Sequence, residues 1–248
     1  MCFPKIIYFF IFLFSSLSLV SQNGDKASEK DLISSLNWKK WSPDVVPVFT
    51  PAESLAQFKV APGFKVELVA SEPMIKDPVF VDWDDAGRMW VGELRTYMRD
   101  LDGTGENERM SRVMVLEDTD QDGVMDKATP FVDDMINVRC IAFVDGGVLV
   151  VETGGLWFCK DIDGDLRSDE RKKLVDFATA AQSNIEHAEN ALHYALDNWM
   201  YNSKSSRKLA GRKGKLIEMP AKGRGQWGMA SDAFGRLYFN ANSNWFEV

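Results

Sequence analysis

The sequence predicts an all-β chain in which one hairpin unit repeats, the pattern of a β-propeller with four-stranded blades. Three observations carry that expectation. Helical periodicity is nearly absent beyond residue 59. Short apolar runs alternate with turns containing Asp, Asn or Gly, the residues tight β-turns require. The unit itself recurs as "PVFVDWDDAGRMWVGE" (78–93), "CIAFVDGGVLVVE" (140–152), "ALHYALDNWMYNS" (191–203) and "WGMASDAFGRLYFNANS" (227–243). A second strand pair follows the first two copies: "RVMVLED" with "ATPFVD", then "GLWFCKD" with "RKKLVDF". Four strands per unit, at intervals of about 40–60 residues, is the repeat of a propeller. Chance similarity between the hairpins of a β-sandwich is the alternative.

Taken in order, residues 1–21 read as an export signal. One lysine precedes an apolar run, "IIYFFIFLFSSLSLV", too short to span a membrane comfortably, and "LVSQ" offers cleavage after Ser21. An uncleaved anchor is the alternative. Residues 22–58 form a polar segment in which "TPAESLAQF" predicts one short helix, Thr50 capping it and Glu53 completing a capping box. Residues 59–248 hold the repeats. The fourth copy stops after its second strand, and "GFKVELVAS" (63–71) reads as an outer strand that would pair with a later blade. The expectation is therefore an N-terminal portion, about four blades, of a longer propeller.

Composition narrows the partners. The net charge of -8 and the absence of a Lys/Arg run interleaved with aromatics exclude nucleic acid as an expected partner. Cys140 and Cys159 read as a disulfide or as two isolated buried thiols, and without a CxxCH the chain encodes no haem site.

Propeller topology sorts loops by face: residues before an inner strand and after the second strand share one rim. Arg139, His187, Asn190, Arg224 and Gln226 fall in the first set. Glu93, Arg95, Glu152, Lys204, Asn240 and Asn242 fall in the second. Their convergence on a central opening would make a small-molecule site. His187, in a loop, is the candidate catalyst, whereas His193 alternates within a strand as a core residue.

The stretch "EDTDQDGVMDK" (117–127) resembles an EF-hand loop, but its twelfth position is Thr129 and its flanks are β-like, so that reading fails. It joins two strands of the first unit, as "KDIDGDLRSDE" does in the second. Asp118, Asp120 and Asp122, with Asp126, offer hard oxygens to one Ca²⁺; Asp161, Asp163 and Asp165, with Asp169, offer a second set. No glycine follows Asp165, which makes the second loop the weaker candidate. Solvated, Asx-rich turns are the alternative for both.

Several of these motifs together, "FKVELVASEPMIKDPV", "WDDAGRMWVGELRTYMRDLDGTGE", "RVMVLEDTDQDGVMDK", "LWFCKDIDGD" and "GRGQWGMASDAFGRLYFNANS", resemble the membrane-bound dehydrogenase family. Its members are N-terminal propellers of large exported bacterial proteins, similar to soluble quinoprotein glucose/sorbosone dehydrogenases. The resemblance covers roughly residues 55–248 and implies oxidation of a sugar or alcohol in the periplasm or cell envelope. It implies pyrroloquinoline quinone as cofactor and a c-type cytochrome, often in the same polypeptide, as electron acceptor. His187 would be the base, and Arg95, Arg139, Asn190, Lys204 and Arg224 would hold the quinone. A non-catalytic propeller that binds glycans or a protein partner is the alternative.

Overall fold

The computed structural model describes residues 48–100, 102–177, 185–212, 214–241 and 244–247. The expected export signal and most of the polar N-terminal segment lie outside these residues, as does Asn242. Within them stand one helix, α1 (Pro51–Gln57), and fifteen strands. Helix α1 begins with proline at its first position, where the missing N–H costs nothing, and buries no residue.

The strands form four antiparallel sheets in chain order. Sheet 1 holds β1 (Pro78–Trp83), β2 (Met89–Glu93), β3 (Ser111–Glu117) and β4 (Lys127–Met135). Sheet 2 holds β5 (Cys140–Val144), β6 (Gly147–Glu152), β7 (Gly155–Lys160) and β8 (Glu170–Asp176). Sheet 3 holds β9 (Asn190–Tyr194), β10 (Met200–Ser203), β11 (Ser205–Arg212) and β12 (Lys215–Arg224). Sheet 4 holds β13 (Ala230–Ser231), β14 (Leu237–Ala241) and β15 (Asn244–Glu247). Each sheet is a simple meander, as the repeat predicts. The fourth extends one strand further than the sequence suggests, and sheet 3 carries a second strand pair that the apolar pattern does not reveal.

The core lies between sheets rather than within one. Successive residues of a strand face opposite sides, so a sheet packed on both faces reads as a continuous apolar run. Trp90, Val113 and Val115 of sheet 1 pack with Ile141, Val148 and Val150 of sheet 2. The alternate residues Cys140, Ala142, Leu149 and Val151 pack with Leu192, Met200 and Leu209 of sheet 3. The remaining face of sheet 1, Met89, Val91, Met114 and Leu116, is covered by Ala70, Met74 and Ile75 of the preceding segment. Residues 63–71 pair with no strand among the described residues, and the later blade expected to receive them is not among those residues either. Beyond its own turns, the segment is tied to the β3–β4 loop by Met125 N–H donating to the Val69 carbonyl at 2.8 Å.

A carboxylate clamp closes the β1–β2 hairpin and recurs in sheet 4. Asp84 Oδ1 accepts the backbone N–H groups of Ala86 and Arg88, and Oδ2 accepts Arg88 Nε and Trp90 Nε1. Asp232 does the same with Phe234, Arg236 and the Tyr238 hydroxyl at identical spacing. Burial works against the charge of Asp84, but the Trp90 and Arg88 bonds outweigh it and hold the carboxyl below its usual range.

Candidate functional site

The strand ends on one face are stitched together sheet by sheet. Between sheets 1 and 2, Thr96 Oγ1 donates to Asn137 Oδ1 at 2.9 Å, and Asn137 Nδ2 donates to the Glu106 carbonyl. Between sheets 2 and 3, Arg139 Nε donates to the Glu189 carbonyl at 2.9 Å. Between sheets 3 and 4, Asn190 Nδ2 donates to the Gln226 carbonyl while its Oδ1 accepts Gly228 N–H. These bridges join the loops that carry Arg95, Arg139 and His187 into one continuous rim.

Two of the five residues expected to hold a cofactor are consumed by this stitching. Arg139, 2% exposed, also donates to Thr153 Oγ1 and the Glu152 carbonyl. Burial lowers its pKa to about 10, with Cys140, Glu189 and Glu152 opposing the shift, so it is charged at neutral pH. Asn190, 1% exposed, uses both ends of its amide. Arg95 lies 3.7 Å from the buried Glu93 carboxylate. Arg224 is buried with its guanidinium 4.6 Å over the Tyr201 ring, and burial pushes its pKa down. Lys204 takes a left-handed backbone, φ 56°, and donates its N–H to the Arg224 carbonyl. His187 is exposed at the end of a 3-10 turn, Ile185–His187, whose first residue is buried. His193 is half-buried rather than core, with Nε2 3.0 Å from Ser231 Oγ.

Beside this rim lies a cavity of about 640 Å³, lined by Asp77, Val79, Leu94 and Tyr97 of sheet 1 and its loops, Ile185 before sheet 3, and Gln226, Trp227 and Asn240 of the fourth unit. Gln226 and Asn240 belong to the rim set expected from sequence. None of the four expected cations is among the lining residues. Asp77, Tyr97 and Trp227 went unmarked in the sequence, although Asp77 directly precedes an inner strand and Trp227 follows Gln226.

The position of Asp77 is set by its neighbours. Glu93, fully buried at the end of β2, accepts Lys76 N–H through Oε1 at 2.8 Å and Arg112 Nε through Oε2. Leu94 N–H then donates to the Asp77 carbonyl at 2.9 Å. Held on both sides and followed by Pro78, Asp77 adopts φ 48°, a region Asp and Asn enter more readily than other side chains.

The two aspartate loops are one turn built twice. Asp118 Oδ2 accepts Gly123 N–H at 2.8 Å; Asp161 Oδ2 accepts Leu166 N–H at 2.9 Å. Thr119 N–H and Ile162 N–H donate to Asp126 and Asp169. Carboxylate oxygens of Asp118, Asp120 and Asp126 lie within 4.8 Å of one another, as do those of Asp161, Asp163 and Asp169. Asp122 and Asp165 stand outside these groups, each accepting a backbone N–H two residues on. The second loop makes the same turn without the glycine: Leu166 takes φ 67° where Gly123 takes 92°. Its side chain packs against the cluster between sheets 1 and 2, which offsets the strain.

Cys140 and Cys159 are both free and buried, so the disulfide alternative does not hold.

The chain belongs to the family described as domain of unknown function DUF7133, whose pattern matches residues 50–247. No curated protein matches the sequence. Among solved structures, a protein named as a gluconolactonase is similar at a TM-score of 0.50 and 14% identity, over 72% of this chain and 60% of that one. A gluconolactonase from Xanthomonas campestris gives 0.46 and 13%, over 70% and 57%. The holo pyranose dehydrogenase PQQ domain from Coprinopsis cinerea gives 0.47 and 13%, over 73% and 46%. The first of these likenesses shows the fold: antiparallel sheets, three of them four-stranded, arranged as in a propeller. The chain spans less than two thirds of each of these structures.

Proposed function

We propose that this chain is a propeller-like module of an exported protein and that its cavity binds a sugar or a related polyol. One observation carries the reading: the cavity joins Tyr97 and Trp227 with Gln226, Asn240 and Asp77. Aromatic faces suit the C–H surface of a sugar ring, while amides and a carboxylate suit its hydroxyls. The volume is that of an ordinary small-molecule site.

Oxidation of that ligand is the finer reading, supported by the family resemblance alone. Pyrroloquinoline quinone is a tricarboxylate and calls for cations around it. The lining does not fit that need: its charged residue is an aspartate, and Arg139, the most deeply buried of the four cations, is spent on holding sheets 2 and 3 together. The donor set favours the alternative of a propeller that binds glycans without oxidising them. The aspartate loops suit Ca²⁺ in a structural role, stiffening the β3–β4 and β7–β8 connections.

The test is a ligand panel on the full-length protein. Saturation-transfer NMR with neutral monosaccharides and sugar alcohols is expected to show binding. A parallel assay with the quinone, Ca²⁺ and a dye acceptor is expected to show no turnover. Absence of sugar binding refutes the proposal; dye reduction restores the dehydrogenase reading.

A further inference from the structure

The residue equivalent to Asp77 in the next sheet shows what this position does when it is structural. Lys76 N–H is held by Glu93 and Ile136 N–H by Glu152, both at 2.8 Å, and the residue after each, Asp77 or Asn137, turns left-handed at φ 48° or 49°. Asn137 is fully buried and bridges to Thr96 and Glu106. Asp77 is exposed at the cavity, and its carboxylate has no hydrogen-bond or ion-pair partner among the described residues. The fold needs the backbone turn, which an asparagine supplies equally well; it does not need this charge.

We infer that Asp77 sets the ligand's charge class: the cavity accepts neutral and cationic polyols, such as hexoses and amino sugars, and rejects anionic ones such as uronic acids. This rests on the sugar-binding reading of the same cavity. A carboxylate accepts hydrogen bonds from hydroxyls and ammonium groups more strongly than an amide does, and it repels a second carboxylate at contact distance.

The test is calorimetry with D-glucose, D-glucosamine and D-glucuronate on the full-length protein and on Asp77→Asn. That substitution removes the charge and keeps both an acceptor oxygen and tolerance of a left-handed backbone. In the unmodified protein glucuronate is expected to bind at least tenfold more weakly than glucose. In Asp77→Asn the two are expected to fall within about threefold, at an unchanged melting temperature. Equal binding of glucose and glucuronate by the unmodified protein overturns the inference, as does a tenfold gap that survives Asp77→Asn. Both outcomes leave sugar binding standing. Flat isotherms for all three ligands overturn the sugar reading together with the inference.

Discussion

Arg139 reaches from the start of sheet 2 to the backbone of Glu189 at the start of sheet 3, Nε to carbonyl oxygen at 2.9 Å, from a side chain 2% exposed. A guanidinium in that place is a rivet. Its three nitrogens satisfy two carbonyls and a hydroxyl that the rim would otherwise bury without partners.

Replacing it is therefore expected to cost stability rather than ligand affinity. Arg139→Met leaves the Glu189 and Glu152 carbonyls unpaired, and each such group costs about 1–3 kcal/mol. Urea unfolding is expected to show a loss of about 3 kcal/mol, with sugar affinity unchanged in the folded fraction. A variant as stable as the parent would show that the rim does not depend on this contact.

The cysteines give a pH dependence. Burial pushes Cys140 up to about 12 and Cys159 up to about 11, from an ordinary value of 9.0. Folding keeps both thiols neutral, so their contribution is fully present below about pH 9 and is lost as pH rises through 11 to 12. Unfolding free energy is expected to fall above pH 9, and less steeply in a Cys140→Ala/Cys159→Ala protein. The thiolate is the reactive form, so neither thiol is expected to react with Ellman's reagent until the chain unfolds. Prompt labelling of Cys140 or Cys159 in the native protein would contradict the burial.

The aspartate loops predict a response to Ca²⁺. A cation binding only the folded chain stabilises it by about 2.7 kcal/mol at a hundredfold excess over its dissociation constant. Scanning fluorimetry is expected to show a melting temperature several degrees higher with Ca²⁺ than with a chelator. Asp120→Asn and Asp163→Asn together are expected to abolish the difference. A melting curve indifferent to Ca²⁺ would leave both loops as Asx turns.

The sheets were legible where burial on both faces left continuous apolar runs closed by Asp/Gly turns, as in "MWVGE" and "GVLVVE". Strands β11 and β12 were not, because "SSRKLAGR" and "KLIEMPAKGR" are cationic and lack a continuous apolar run, and β12 is largely exposed. Their pairing is supported instead by Arg207, which meets Glu189 and Glu218. In the candidate site, positional logic placed Gln226 and Asn240 at the opening but could not distinguish a cation facing the cavity from one facing a neighbouring carbonyl. Arg139 is of the second kind. Asp77 obeyed the same positional logic, but its charge is opposite to the cations a quinone would require. In the second aspartate loop, the packing that accompanies the left-handed Leu166 is tertiary and invisible in sequence.

The central claim is that the cavity beside the rim is a sugar site, and Trp227 tests it most directly. Trp227 is 39% exposed and stands outside the buried core, so Trp227→Ala is expected to leave the melting temperature nearly unchanged. Loss of an aromatic stacking contact of about 1.4 kcal/mol should weaken glucose binding about tenfold. A calorimetric titration giving that tenfold loss in a fully folded variant would support the site; glucose affinity identical in Trp227→Ala and the parent would place the ligand elsewhere.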